Sequence, residues 1–581
     1  MANFFTENSD RLFHFNSLDI KKIVESLEDS FNEHKRFDYA PENYEDAIDN
    51  YKKILELVGQ ISAECIAPLA KSVDEQGASY KDGEVEYAEG TKQAFETLRK
   101  ADLIGGTLPR KYGGLNLPNV INNIVIEMVS EADASFMNIY GLQDIAVTIN
   151  KFASEEQKEK ILPLFCKGEV TGSMDLTEPE AGSDLQAVQA KATFDEKENC
   201  WKLNGVKRFI TNGGARVHLV LARSEEGTQD ARGLSMFLYL KDGGMKIRRI
   251  EHKLGIHGSP TTELEFNDAK CELVGKRRFG LIKYVMHLMN GARLGVAIQA
   301  LGIAQAAYNK ALKYALERKQ FGKKIIELPA VYDMLTNDRM DIEATRSLIY
   351  HTGLIVDELE SIEKTLEEKQ ENFFSEKPAN QRERAKKLSE KVELFTPLAK
   401  YYSTEAANRI CYNAIQIHGG TGYMQDFDVE RYYRDARITS IYEGTTQFQV
   451  VAAIGGVMTK QMDSEFEKFR KSAQGHEGEF KDVYDVLLKY ERMFNKAIDK
   501  VRELKNKDFR DYIARTLIDM ALLLYMSYSF LDEAKRNPKK ALFARKFAME
   551  RLPGFESNYH KVMEVDETTI RNYEQLLEIK I

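Results

Sequence analysis

The chain reads as an α+β multi-domain protein, helix-rich at both ends with a β segment in the middle. Two changes of texture carry that reading. Apolar residues recur at helix spacing through 41–170 and again from 286 onward, whereas 171–285 breaks into short β-type runs separated by turns. Length is the third observation: 581 residues exceed what one hydrophobic core supports, so several structural units are expected.

Residues 1–40 are mixed and polar and read as a poorly packed N-terminal arm. In the N-terminal helical domain, 41–170, Ile54, Leu55, Leu57, Val58 and Ile61 recur at helical spacing, as do Val120, Ile121, Ile124, Val125 and Met128. A Pro- and Gly-bearing stretch at 109–114 punctuates it. In the middle β domain, 171–285, the runs 217–222, 234–240 and 262–266 have strand composition. The helical region 286–455 opens with Leu294, Ile298, Leu301, Ile303, Ala304 and Leu312, a pattern too apolar for a single face, so that helix is expected to be buried on several sides. Residues 357–392, dense in Glu, Lys, Gln and Arg, read as a solvated helical excursion. An additional helical domain fills 456–581, with a break at Asn537-Pro538. Its apolar run 520–531 lies between Asp519 and Asp532 and is too short to cross a bilayer. Core packing of the tail explains that run, and peripheral membrane contact is the lesser alternative.

Composition narrows the function classes. A net charge of −9 argues against nucleic acid as a main partner, because a basic face is its usual footprint. Cys65, Cys166, Cys200, Cys271 and Cys411 are scattered and form no CxxC pair, so neither a disulfide framework nor a zinc site is expected. Buried thiols in a reducing, cytoplasmic compartment fit better. The first ten residues carry acid and no basic region before an apolar run, unlike a secretory signal or an Arg-rich transit peptide. No GxGxxG follows a strand and no GxxxxGK[ST] occurs, so neither a dinucleotide-binding βαβ unit nor a P-loop is supported.

Chemistry concentrates in a few segments. Leu176-Thr177-Glu178-Pro179-Glu180-Ala181-Gly182-Ser183-Asp184 is a loop whose hydroxyls and N–H groups can face a ligand, or a plain surface turn. In Asn204–Gly214, Phe209 stands two residues before Thr211, where an aromatic on one strand face can cover a flat heterocycle; a packed hairpin is the alternative. Arg293 enters an apolar helix and wants a partner, for which a phosphate serves. Arg318-Lys319 either binds a pyrophosphate or compensates a helix dipole. Gln416-Ile417-His418-Gly419-Gly420-Thr421-Gly422-Tyr423 allows close backbone approach, with His418 read as a core histidine. The last segment places one carboxylate, Glu443, between Tyr442 and Gly444, with Thr445, Thr446 and Gln447 following.

TEPEAGSD, FITNGG, ERKQFGK, QIHGGTGY and IYEGTTQ, in this order, resemble the acyl-CoA dehydrogenase family, flavoproteins that make an α,β double bond in acyl-CoA thioesters. The resemblance covers roughly 50–455. It implies an N-terminal helical domain, a middle β-barrel-like domain and a C-terminal four-helix bundle. It also implies FAD as cofactor, an acyl-CoA substrate and an electron-transfer flavoprotein as electron acceptor. The segment 253–262, KLGIHGSPTT, and the tail resemble the long subgroup with an added C-terminal helical domain, the 3-methylmercaptopropionyl-CoA dehydrogenase-like and long-chain-like members. Such tails often fill the space of a second dimer, so a homo-oligomer is implied, either a dimer or the family's usual tetramer.

Position by position, the resemblance makes Glu443 the catalytic base that takes the α-proton while hydride leaves the β-carbon for flavin N5. An alternative base position elsewhere in the family is occupied here by Ala292, which cannot act as one. Met174, Leu176 and Thr177 resemble the loop against the flavin ring. Phe209 stands where tryptophan is common, and Thr211 matches a hydrogen-bonding position near N5. Ser183, Arg293 and Gly444 match substrate-side positions, with Arg293 as the CoA-binding arginine and Asn290 where many relatives have an acid. Arg318, Gln320 and Phe321 resemble a flavin pyrophosphate and adenine site serving a neighbouring subunit. Gln416, Gly420, Thr445 and Gln447 resemble contacts from the partner chain. An acyl-CoA oxidase would keep Glu443 and release peroxide, and a DNA-binding relative would need a basic tail that this chain lacks.

Overall fold

The computed structural model describes residues 2–370, 378–473 and 480–579. They form two compact units, Met1–Leu335 with Ala407–Glu443, and Thr336–Ala406 with Gly444–Ile581. The divisions at Leu335 and Ala407 fall inside the long helices Pro329–Gln370 and Pro378–His418. They therefore cut the 286–455 segment that its helical texture joined together.

In the first unit the N-terminal segment is packed, which corrects the expectation of a loose arm. Its helix Ser9–Asn16 is capped by Asn8, whose side chain accepts from the N–H groups of Asp10 and Arg11. Arg11 is fully buried. Its Nε donates to Glu127 Oε1 at 2.9 Å, and Nη2 donates to Glu127 at 2.7 Å and to Glu131. Phe5, Phe15 and Ile20 of the same segment are buried as well. Polar composition concealed this because the charge is spent inside the fold rather than on water.

The middle segment closes into a barrel. Val217–Arg223 pairs with Leu234–Leu240, which pairs with Thr261–Val274, then Cys200–Thr211, then Lys191–Asp195. A single parallel pair, Lys191 with Arg223, completes the ring. Gly172–Asp175 adds to Val217–Arg223 in parallel, and Met245–Ile250 adds to Thr261–Val274. Every residue of Val217–Arg223 is buried. Val217, Leu219 and Leu221 join a core with helical residues such as Ile149, Ile161 and Phe165, while Val220 and Ala222 face Phe237, Tyr239 and Leu264. Two buried faces explain why this strand reads as an unbroken apolar run.

Helix Met286–Glu317 is buried along most of its length, including Leu294, Ala297, Ile298, Leu301 and Ala304. It crosses Asn119–Ala132 closely: a Cβ on Gly302 would stand 2.5 Å from Ser130 Cβ.

In the second unit the tail shares one core with 336–406. Helix Lys507–Arg536 buries Met520, Leu522, Leu524, Tyr525, Met526, Tyr528 and Phe530, so its apolar run is core packing. Lys540 forms buried ion pairs with Glu343 at 2.8 Å and Glu533 at 3.1 Å, and Tyr401 donates to Asp519 at 2.6 Å. The expected break appears as Arg536 ending one helix and Ala541 opening the next. Of the charged excursion, the described parts are helical, and 371–377 lie outside the described residues. Among the described residues no helix is long and apolar enough to cross a membrane.

Candidate active site

Glu443 closes the first unit at the end of a tight turn that follows helix Val429–Thr439. Its φ is 55° and that of Gly444 is 92°, two successive left-handed residues. Glycine adopts that conformation freely, but a glutamate there costs roughly 1–2 kcal/mol. Such strain persists only where the surroundings fix it. Tyr442 supplies the fixing. Its hydroxyl donates to Gln299 Oε1, and Gln299 Nε2 donates to Asn138 Oδ1 and to the Ala134 carbonyl, each at 2.8 Å. Asn138 in turn donates to Ser259 Oγ at 3.1 Å. Burial and the Glu443 charge push the Tyr442 phenol well above its ordinary range, so it stays a neutral donor.

The helix before the turn is held by buried charge. Asp435 accepts from the Ile256 N–H at 2.5 Å, and burial raises its carboxyl to about 6 despite Arg431. Arg434 bridges Asp74 at 2.6 Å and Glu430 at 2.7 Å.

Arg293 is 5% exposed and lies within electrostatic reach of Glu443. Burial pulls its pKa down and the Glu443 charge opposes that pull. Its Nη1 donates to Asn290 Oδ1 at 3.4 Å, a long bond, and its Nε is buried with no hydrogen-bond partner among the described residues. A guanidinium kept from water with donors to spare suits an anionic or carbonyl ligand.

A second cluster lies on the barrel. Lys207, fully buried, donates to the Leu176 carbonyl at 3.0 Å and to Glu178 Oε1 at 2.8 Å. Glu178 also accepts from the N–H groups of Gln189 and Ala190. The Arg208 N–H donates to the Thr177 carbonyl at 2.9 Å. These bonds lay Leu176 and Thr177 beside strand Cys200–Thr211, next to Phe209. The register slips between Lys207 and Ile210, and Phe209 takes a φ of 59° with its ring 54% exposed. A bulge thus turns an aromatic face outward. Beneath Met174 and Leu176, Ser173 Oγ donates to Asp175 at 2.6 Å, and His218 Nδ1 lies 2.9 Å from Asp175, all buried. An exposed ring, the half-buried Met174 and two threonine hydroxyls, with the nearby Lys207–Glu178 charges paired internally, fit a flat, mostly apolar heterocycle with polar edges.

The remaining predicted residues lie on exposed surfaces. Arg318 ends helix Met286–Glu317; Gln320 lies on a two-residue strand paired with Lys323–Lys324, and Phe321 at its tip is 89% exposed. Gln416, Gly420 and Ser183 are exposed, as are Thr445 and Gln447 in the second unit. There Gly444 offers its carbonyl to Lys400 at 2.6 Å and Gln449 at 2.8 Å. His418 stacks on Tyr314 with ring centroids 4.2 Å apart. Sequence reasoning missed Gln299, Asn138, Lys207 and the Ser173–Asp175–His218 group. The legible trace of Lys207 was a lysine on the inward face of a strand.

Comparison with known proteins identifies the family. The N-terminal domain of acyl-CoA dehydrogenases matches residues 49–169, the middle domain 173–269 and the C-terminal domain 282–364 and 378–454. A further acyl-CoA dehydrogenase C-terminal region matches 458–548. The chain belongs to the acyl-CoA dehydrogenase family. Membership makes it an oxidoreductase acting on CH–CH bonds with FAD as its cofactor. It is similar to 3-methylmercaptopropionyl-CoA dehydrogenase of Ruegeria pomeroyi, 33% identical over 458 residues that cover 74% of each chain. Among solved structures it resembles butyryl-CoA dehydrogenase of Megasphaera elsdenii, with a TM-score of 0.60 and 30% identity over 71% of this chain and 98% of that one. An acyl-CoA dehydrogenase from Bacillus anthracis, solved with FAD, shares the fold across 89% of this chain and 88% of its own, with a TM-score of 0.74 and 23% identity.

Proposed function

We propose that this protein dehydrogenates an acyl-CoA thioester to the 2-enoyl-CoA, with Glu443 as the base for the α-proton. The observation that carries the reading is the strained Glu443–Gly444 turn, anchored through Tyr442 and within electrostatic reach of the buried Arg293. FAD, when bound, supplies the acceptor for the β-hydride. Met174, Leu176, Thr177, Phe209 and Thr211 hold its ring system, with Arg318, Gln320, Phe321, Gln416, Gly420, Thr445 and Gln447 completing the cofactor site across a homodimer. Ser183, Arg293 and Gly444 contact the substrate.

The α-proton of a thioester is too weakly acidic for a carboxylate alone, so the site must stabilise charge on the thioester oxygen. The Glu443 N–H serves as one donor, a type of contact typically worth about 3 kcal/mol. The left-handed turn fixes that N–H and the carboxylate of the same residue together. Electrons then pass to an electron-transfer flavoprotein.

The test is an anaerobic titration of the purified flavoprotein with a panel of acyl-CoAs, followed in the visible spectrum. Bleaching of the flavin band by one of them is expected. A flavin that no acyl-CoA bleaches overturns the reading. Oxygen consumption with stoichiometric peroxide during turnover would instead assign an oxidase.

A further inference from the structure

Gln143 is 7% exposed, and both its Nε2 and its Oε1 are buried without a hydrogen-bond partner among the described residues. An amide sealed from water with neither donor nor acceptor matched is costly, and folds seldom keep one without a use. Its place in the fold suggests that use. Gln143 sits in the short turn Leu142–Asp144 after helix Ala134–Gly141, the helix that carries Asn138 of the Tyr442 network. The neighbouring Leu142 packs against the same core as Met174 and Met289.

Helix Met286–Glu317 carries two glycines one turn apart, Gly291, which is exposed, and Gly295. A Cβ on Gly291 would meet nothing within 4 Å, and one on Gly295 would meet only Met137 Cε at 3.8 Å. The same Met137 methyl lies 3.1 Å from a Cβ built on Gly141. Glycines and a flexible methionine thus leave room for a slender chain between the Arg293 end of that helix and the Gln143 turn.

We propose that Gln143 reads the far end of the acyl group, and that the preferred substrates carry there a group that both donates and accepts a hydrogen bond, a hydroxyl being the smallest. This rests on the dehydrogenase reading and names its substrate class. A hydroxyl satisfies Oε1 with its proton and Nε2 with its oxygen, whereas a methyl end leaves both amide atoms unmatched. Sites built to pair a substrate hydroxyl discriminate strongly against the analogue that lacks it.

The experiment compares kcat/KM for ω-hydroxyacyl-CoAs with that for ω-methyl acyl-CoAs of equal chain length, in the FAD-loaded full chain. At the best length the hydroxyl series is expected to lead by at least about 10-fold. Gln143→Met, of similar length and apolar, should bring that ratio to one or below. Gln143→Asn, one methylene shorter, should move the preferred hydroxyacyl length up by one carbon. A wild-type preference for the methyl series at every length overturns the proposal, as does a ratio unchanged in Gln143→Met or an optimum unmoved in Gln143→Asn. Failure of both series to bleach the flavin would instead refute the dehydrogenase reading itself.

Discussion

At the scale of single residues, the turn at Glu443 couples conformation to chemistry. Glu443→Gln preserves size and the left-handed backbone but removes the proposed base. It should retain FAD and lose dehydrogenation by at least about 100-fold, at the low end of general-base contributions. Near-normal turnover would reassign the proton transfer. Asp435 yields a pH signature. Its folded pKa of about 6 lies above the ordinary aspartate value of 3.8, so between those values the folded state binds more protons than the unfolded chain. Its stability contribution is therefore greatest in acid and declines as pH rises through about 6. Asp435→Asn keeps an acceptor for the Ile256 N–H. Relative to wild type it should gain roughly 2 kcal/mol between pH 4 and pH 7, read from urea unfolding at each pH. A constant difference across that range would contradict the assignment. Glu443 was legible because its flanking residues form a rare string. Gln299 and Asn138 were not, because an amide within an apolar helix shows no sign of which distant hydroxyl it will meet.

At the scale of elements, the Leu176–Glu178 loop depends on one buried ion pair. Lys207→Met would free the Leu176 carbonyl and leave Glu178 held by two N–H groups without its cation. A loss of about 3–5 kcal/mol is expected, together with weaker FAD retention after gel filtration. Unchanged retention would show that the loop stands without the pair. In the tail, Leu524→Ala should cost about 2–5 kcal/mol in thermal or urea unfolding, as for other large-to-small core changes. A near-neutral effect would mean that helix Lys507–Arg536 is less tightly packed than its burial implies. Strands and helices were readable because burial imposes their periods of 2 and 3.6. Barrel closure was not, since it depends on one Lys191–Arg223 pair between strands with no shared pattern. Nor was the bulge at Phe209, where one slipped residue decides whether the ring faces the core or the surface.

For the whole molecule, the sequence divided at changes of texture and the structure divides at contacts. The tail shares a core with 336–406 because Lys540 and Tyr401 bind partners far along the chain, which no local window displays. The N-terminal segment carries the same lesson. Arg11→Met would take the guanidinium from Glu127 and Glu131 in the core, and a loss of about 3–5 kcal/mol is expected in equilibrium unfolding. Replacing both glutamates by glutamine in that background should recover part of it. No recovery would place the cost in packing rather than charge.

The Arg11 anchor also sets an order of events during synthesis. Its carboxylate partners lie 116 and 120 residues downstream. At about 5–20 residues per second, a ribosome delivers them roughly 6–24 s after Arg11. Throughout that interval the guanidinium must stay hydrated, and the apolar side chains of its segment, Phe5, Phe15 and Ile20, have no finished core to enter. This segment therefore docks only once Asn119–Ala132 has emerged, and until then it is open to a chaperone.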